Sequence, residues 1–118
     1  MKRKIVIVII IVLTIILISI FIALKSNKTF FKTKYIGAQG QEIFIPKYSY
    51  FKEECCMTAA SFYSLRSEKD LTKEINNYMK DFKYFDDDTT YGYKKGNLFI
   101  QKYIVENNTL YRKIIIVY

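Results

Sequence analysis

The sequence predicts an α+β protein on a membrane anchor: one N-terminal transmembrane helix, then a small domain with one helix packed on a mostly antiparallel β-sheet, in the approximate order β-β-α-β-β-β. Three observations predict it. Residues 5–24 (IVIVIIIVLTIILISIFIAL) carry no charge. A capped amphipathic pattern fits a helix over residues 68–82. Aromatic and β-branched runs broken by turn residues lie on both sides of that helix. Of the 118 residues, about 85 remain beyond the apolar run, room for one modest core and not for a large catalytic scaffold.

The apolar run comes first. At about 1.5 Å per residue, twenty helical residues reach about 30 Å, the hydrocarbon thickness of a bilayer. In lipid the backbone polar groups must bond within the segment, so helix is the single-span state. A cleaved secretory signal begins in the same way, but its apolar region is about 7 to 15 residues and ends at a small-x-small pair. Here a cut after Ala23 would place Phe21 at the third position back, so an uncleaved anchor is expected. A buried core helix is excluded because so small a domain could not surround a helix apolar on every side. The span has no glycine, hence no GxxxG contact face, and no ionisable group to mark a proton or ion path. Residues 1–4 then form a cytoplasmic basic head, 5–24 the anchor, 25–36 a basic tether and 37–118 an extracytoplasmic domain. The basic head favours a cytoplasmic N-terminus in a single-pass protein of the cell membrane.

Charge follows the same division. Of the formal +8, Lys2, Arg3, Lys4, Lys25, Lys28, Lys32 and Lys34 supply seven positive charges, expected to meet anionic headgroups, and no acidic residue precedes Tyr35. Residues 35–118 hold twelve basic and eleven acidic side chains. A nearly neutral domain has no bias toward phosphate backbones, so no nucleic-acid partner is expected.

Within the domain, EIFIP at 42–46 reads as a short strand that Pro46 ends or confines to an edge. Residues 48–65 also fit a helical face, through Phe51, Cys55, Ala59 and Phe62. That helix would leave only Arg66 and Ser67 for a reversal, so two strands, 47–52 and 56–65, joined near Lys52-Glu53-Glu54, are preferred. Ser67 caps the helix, with Asp70 three residues on and Leu71, Ile75, Tyr78 or Met79, and Phe82 as its buried stripe. Lys69, Lys73, Asn76, Asn77 and Lys80 face outward. Strands follow at 90–94, 98–105 and 110–118, with turns at Lys95-Gly96-Asn97 and Asn107-Asn108. The expected sheet has four or five strands.

The chain contains no histidine, which removes Ser-His-Asp and Cys-His catalysis and every His-containing metal motif. Two cysteines alone cannot complete a zinc tetrahedron, and no metal or cofactor is expected. Cys55 and Cys56 are adjacent, unlike a CxxC pair. Their Cα separation, about 3.8 Å across a trans peptide, lies below the usual disulfide range. Ordinary thiols with at least one in the core are expected; a vicinal disulfide and then an intermolecular bond are the rivals. Asp86-Asp87-Asp88-Thr89-Thr90 contains the DxDxT letters of aspartate-based phosphotransferases without the large parallel α/β core that chemistry needs, so a solvated turn is expected. Asn27-Lys28-Thr29 and Asn107-Asn108-Thr109 are glycosylation sequons that matter only in a glycosylating host, and a bacterial host is the expectation for so compact a chain with a basic anchor.

The eleven tyrosines are too many for one small interior. Tyr91, Tyr93, Tyr103 and Tyr111 fall on adjacent predicted strands and are the candidates for an exposed aromatic, partner-facing patch. Cys55 and Cys56 are the candidate thiol site. The leading expectation is a non-enzymatic, membrane-anchored extracytoplasmic module that binds or inhibits a protein partner. The alternatives are a structural accessory subunit of a membrane complex and a small thiol-dependent enzyme.

Overall fold

The structure, a computed structural model, describes residues 2–118. Its first element, α1 (Lys2–Ser26), runs 25 residues, about 38 Å, with none buried in the protein. Thr14 and Ser19 return their hydroxyls to the carbonyls of Ile10 and Ile15, so no polar side chain in the span is left without a partner. This helix is long and apolar enough to cross a membrane. The radius of gyration is 19.0 Å, against about 13–14 Å for a compact chain of this length, because α1 projects from the remainder.

The domain is built from β1 (Lys34–Ile36), β2 (Glu42–Phe44), β3 (Tyr50–Cys55), β4 (Ala59–Ser64), α2 (Glu68–Met79), β5 (Lys83–Asp87), β6 (Thr90–Lys95), β7 (Leu98–Ile100), β8 (Lys102–Asn107) and β9 (Arg112–Val117). All strand pairs are antiparallel. They form three sheets: a β1-β2 ribbon, a four-stranded sheet in the order β3-β4-β9-β8, and a three-stranded sheet in the order β5-β6-β7. The α+β architecture with an apolar N-terminal helix is thus the one the sequence predicts. The single sheet of four or five strands is replaced by these three.

One face of the four-stranded sheet carries Ala60, Phe62, Ile114 and Ile116, all buried. The β1-β2 ribbon and α2 cover it with Ile43, Ile45 and Leu71, and the seven side chains join Tyr118 in one core. Tyr35 and Phe51 stack at 5.6 Å, and each meets the Phe62 ring edge-on. The Tyr103 hydroxyl donates to the Phe44 carbonyl at 2.8 Å, tying β8 to the ribbon.

Helix α2 starts as expected. Ser67 has an extended backbone and its hydroxyl accepts from the Asp70 amide. Leu71 and Ile75 are buried, while Lys69, Lys73, Asn76, Asn77 and Lys80 are exposed. The helix stops at Met79, short of residue 82, and Phe82 reaches the interior from the following turn.

Four further corrections concern strands. The β3-β4 reversal lies at 56–58, not at Lys52-Glu53-Glu54; β3 is an edge strand, so those charges stay solvated while remaining in it. Asp86 and Asp87 belong to β5, paired with Tyr91 and Thr90, and the expected solvated turn shrinks to Asp88-Thr89. The run 98–105 divides at Gln101, whose amide donates to the Val117 carbonyl and begins the ladder of the four-stranded sheet. Residues 34–36, placed in the tether by the sequence, form β1.

Candidate functional site

Three exposed places carry chemistry the core does not use. The first is the β5-β6 hairpin. Tyr84 pairs with Tyr93 and Asp86 with Tyr91, so all four project from the same face. The Tyr84 and Tyr93 rings meet edge-on at 5.7 Å. Tyr84, Tyr91 and Tyr93 are 62%, 54% and 40% exposed, which makes this face aromatic and open to solvent. Local desolvation, then the Asp86 carboxylate and Tyr93, raise the Tyr84 hydroxyl above its ordinary pKa, so it remains a neutral donor. On the opposite face Phe85 and Phe99 meet edge-on and the Lys94 ammonium lies 4.6 Å from the Phe85 ring.

The structure does not bring the four tyrosines singled out in the sequence into one patch. Tyr91 and Tyr93 share β6, but Tyr103 lies on β8 of the other sheet, packed against the core. Burial, with Tyr78 second, holds the Tyr103 hydroxyl far above its ordinary pKa. Tyr111 precedes β9 and packs on Tyr63 at 4.7 Å. Tyr84, which sequence reasoning passed over, completes the hairpin face. Its signal was the alternation Tyr84-Phe85-Asp86 mirrored by Tyr91-Gly92-Tyr93, legible only once the hairpin register is known.

The second place is the end of α1. Asn27 follows the helix, and its side-chain oxygen accepts from the Thr29 amide, the Thr29 hydroxyl and the Phe51 amide at 2.8–3.3 Å. The Thr29 hydroxyl also lies 3.0 Å from the Ser49 carbonyl; with one proton it serves either acceptor in turn. Residues 27–36 are therefore fastened to the domain, and the Asn27 sequon side chain is engaged in this clasp. A cleft of about 590 Å³ opens here, lined in part by Lys28, Lys32, Lys34 and Tyr35. Beside it an apolar groove of about 310 Å³ is lined by Leu24, Phe30, Tyr48, Tyr50, Leu65 and Tyr111.

The third place is the β3-β4 turn. The Thr58 amide donates to the Cys55 carbonyl, and Cys56 and Met57 between them have φ of 58° and 63°. That is the turn usually filled by Asn-Gly, so two side-chain-bearing residues accept about 1–2 kcal/mol of backbone strain each. Cys55 and Cys56 are both exposed, contrary to the expectation of a core thiol, because the reversal falls on the cysteines themselves. Their sulfurs lie 2.6 Å apart. The Cys55 thiol is raised above its ordinary pKa, first by its hydrogen bond and charge interaction with Cys56, then by slight desolvation and Glu53.

Beneath this turn the Glu54 carboxylate accepts from the Ala38 amide and the Tyr118 hydroxyl, and the Tyr118 amide donates to the Thr58 carbonyl. Burial and the nearby Glu54 raise the hydroxyls of Tyr35 and Tyr118. No group of three or more His, Cys, Asp or Glu able to hold a metal ion occurs among the described residues. No protein-family model, curated protein or solved structure matches the chain.

Proposed function

We propose that the protein is a non-enzymatic, membrane-anchored interaction module, with its N-terminus in the cytoplasm and its domain outside, that binds a protein partner through the Tyr84-Tyr91-Tyr93 face. One observation carries the reading: three tyrosines stand exposed on one face of a hairpin whose rings serve no core. Tyrosine supplies rigid contact area and a hydroxyl donor at small entropic cost, which suits an interface centre. Asp86 on this face and Asp88 in the hairpin turn give it an acidic rim, complementary to a partner with basic side chains around an apolar centre.

The anchoring follows from the helix end. Leu24 belongs to the apolar span and also lines the groove with Phe30, Tyr48, Tyr50, Leu65 and Tyr111, so that groove lies at the level where hydrocarbon gives way to headgroups. Lys25, Lys28, Lys32 and Lys34 meet lipid phosphates on that side, and Lys2, Arg3 and Lys4 on the other.

Photo-crosslinking residues placed at Tyr91 and Tyr93 in intact cells test the partner surface, with Asn76 on the exposed side of α2 as control. A discrete adduct from the tyrosine positions alone is expected; adducts shared with Asn76, or none, would dispose of the assignment. For orientation, an impermeant thiol reagent applied after mild reduction should label Cys55 and Cys56 from outside intact cells. Labelling only after lysis reverses the topology.

A further inference from the structure

We infer that Cys55 and Cys56 are a redox-active pair that exchanges between a dithiol and a vicinal disulfide by reaction with an external disulfide. The pair has the geometry for it. The two thiols are in hydrogen-bonding contact on adjacent residues, so an oxidised pair would form within the turn itself. Both side chains are exposed at the end of a hairpin, where an attacking sulfur has access. The turn holds Cys56 and Met57 in left-handed conformations where Asn-Gly would be relaxed. The base of the turn is fixed from the C-terminus by the Tyr118 amide on the Thr58 carbonyl.

The surroundings suit a visiting disulfide. Cys55 borders a shallow hollow of about 140 Å³ on the uncovered face of the four-stranded sheet, with Glu53, Ala59, Ser61, Lys113 and Ile115 around it. Small side chains form its floor, so a cysteine-bearing peptide or a glutathione-sized disulfide can approach the sulfur without displacing the sheet. Met57, 55% exposed beside the pair, adds a polarisable thioether and no obstruction.

The exchange balances as follows. One cysteine thiolate attacks a sulfur of the external disulfide, breaking that S–S bond and expelling one thiolate. The other cysteine, deprotonated, attacks the resulting mixed disulfide, forming the Cys55–Cys56 bond and expelling the second thiolate. The pair loses two protons and two electrons, and the external disulfide leaves as two thiols. Because hydrogen bonding to Cys56 and the Glu53 charge raise the Cys55 thiol, the rate should climb with pH from neutrality upward. The exchange concerns a surface distinct from the tyrosine hairpin and stands whether or not that face binds a partner.

The experiment uses the full chain in detergent micelles, reduced and then exposed to glutathione/glutathione disulfide mixtures. Acid-quenched samples are read by intact mass after alkylation. The expected product is a monomer lighter by two hydrogens that takes up no alkylating reagent and reopens on reduction. Cys55→Ser and Cys56→Ser should each stop at a glutathione mixed disulfide, since neither retains the resolving thiol. Full alkylation of wild type after oxidation, a stable mixed disulfide on wild type, or a disulfide-linked dimer would each overturn the assignment.

Discussion

The two larger sheets hold their strands by different means. In the four-stranded sheet, Phe62 pairs with Ile114 and Ala60 with Ile116 on a face that α2 and the β1-β2 ribbon cover completely. A slip of one residue would turn those side chains into water, so burial fixes the register. In the three-stranded sheet, β5 and most of β6 are exposed on both faces, and only Gly92 of β6 is buried. Register there rests on turns, on cross-strand pairs such as Tyr84 with Tyr93, and on the β7 end, where Ile100 is buried and Leu98 rests on the core. The hairpin is thereby left free of core duty.

The sharpest way to break the contrast is to empty each sheet in turn. Phe62→Ala should cost about 3–5 kcal/mol and unfold the domain at much lower urea, followed by circular dichroism. Phe85→Ala, half-exposed on the hairpin, should cost far less. Equal losses would mean that the hairpin is part of the core after all.

Alkali separates the sheets in a second way. The Tyr103 hydroxyl is held above its ordinary value of 10 by burial first and by Tyr78 second. The unfolded chain therefore gives up this proton first as pH climbs. The stability Tyr103 contributes is whole below pH 10 and is lost as pH rises above it. Urea midpoints measured across that range should fall, and Tyr103→Phe should flatten the decline.

Gly92→Ala tests the junction between the sheets. A Cβ there would lie 2.8 Å from the Ile100 carbonyl oxygen and 2.9 Å from the Gln101 Cα, backbone atoms that cannot step aside. A loss of about 1–3 kcal/mol is expected. Amide exchange should quicken in β5-β7 and hold in β4 and β9. Smallest of all, Tyr91→Ala should move stability by less than about 0.5 kcal/mol while abolishing the Tyr93 crosslink. A large stability loss would place Tyr91 in the fold and not at an interface.

The same contrast explains what the sequence could convey. The apolar span, the Ser67 cap, the stripe of Leu71 and Ile75 and the Lys95-Gly96-Asn97 turn were all legible, because each is decided by neighbours a few residues away. β5 was not, since Lys83 to Asp87 (KYFDD) puts aromatic and charged residues on both faces and leaves no apolar side, and only β6 makes it a strand. The break at Gln101 was hidden in LFIQKYIV, a β-like run with no glycine or proline to mark its end. Its one signal was Gly92, a lone glycine in a strand, whose missing side chain lets the chain cross from one sheet to the other. The environment of the cysteines was misjudged, because Lys52-Glu53-Glu54 resembles a turn more than Cys56-Met57 does.

The Asn27 clasp turns the protein into a lever with no universal joint. With the end of α1 fixed to Thr29 and Phe51, the 75 Å particle must lean as one piece. A spanning helix that tilts by an ordinary 20° or so would sweep the far end of the domain sideways by roughly two nanometres. Bilayer thickness, one of the influences on that tilt, would then steer where the tyrosine hairpin points and which neighbours in the membrane it can reach. Asn27→Ala should let the domain swivel and uncouple its aim from the lipid beneath it.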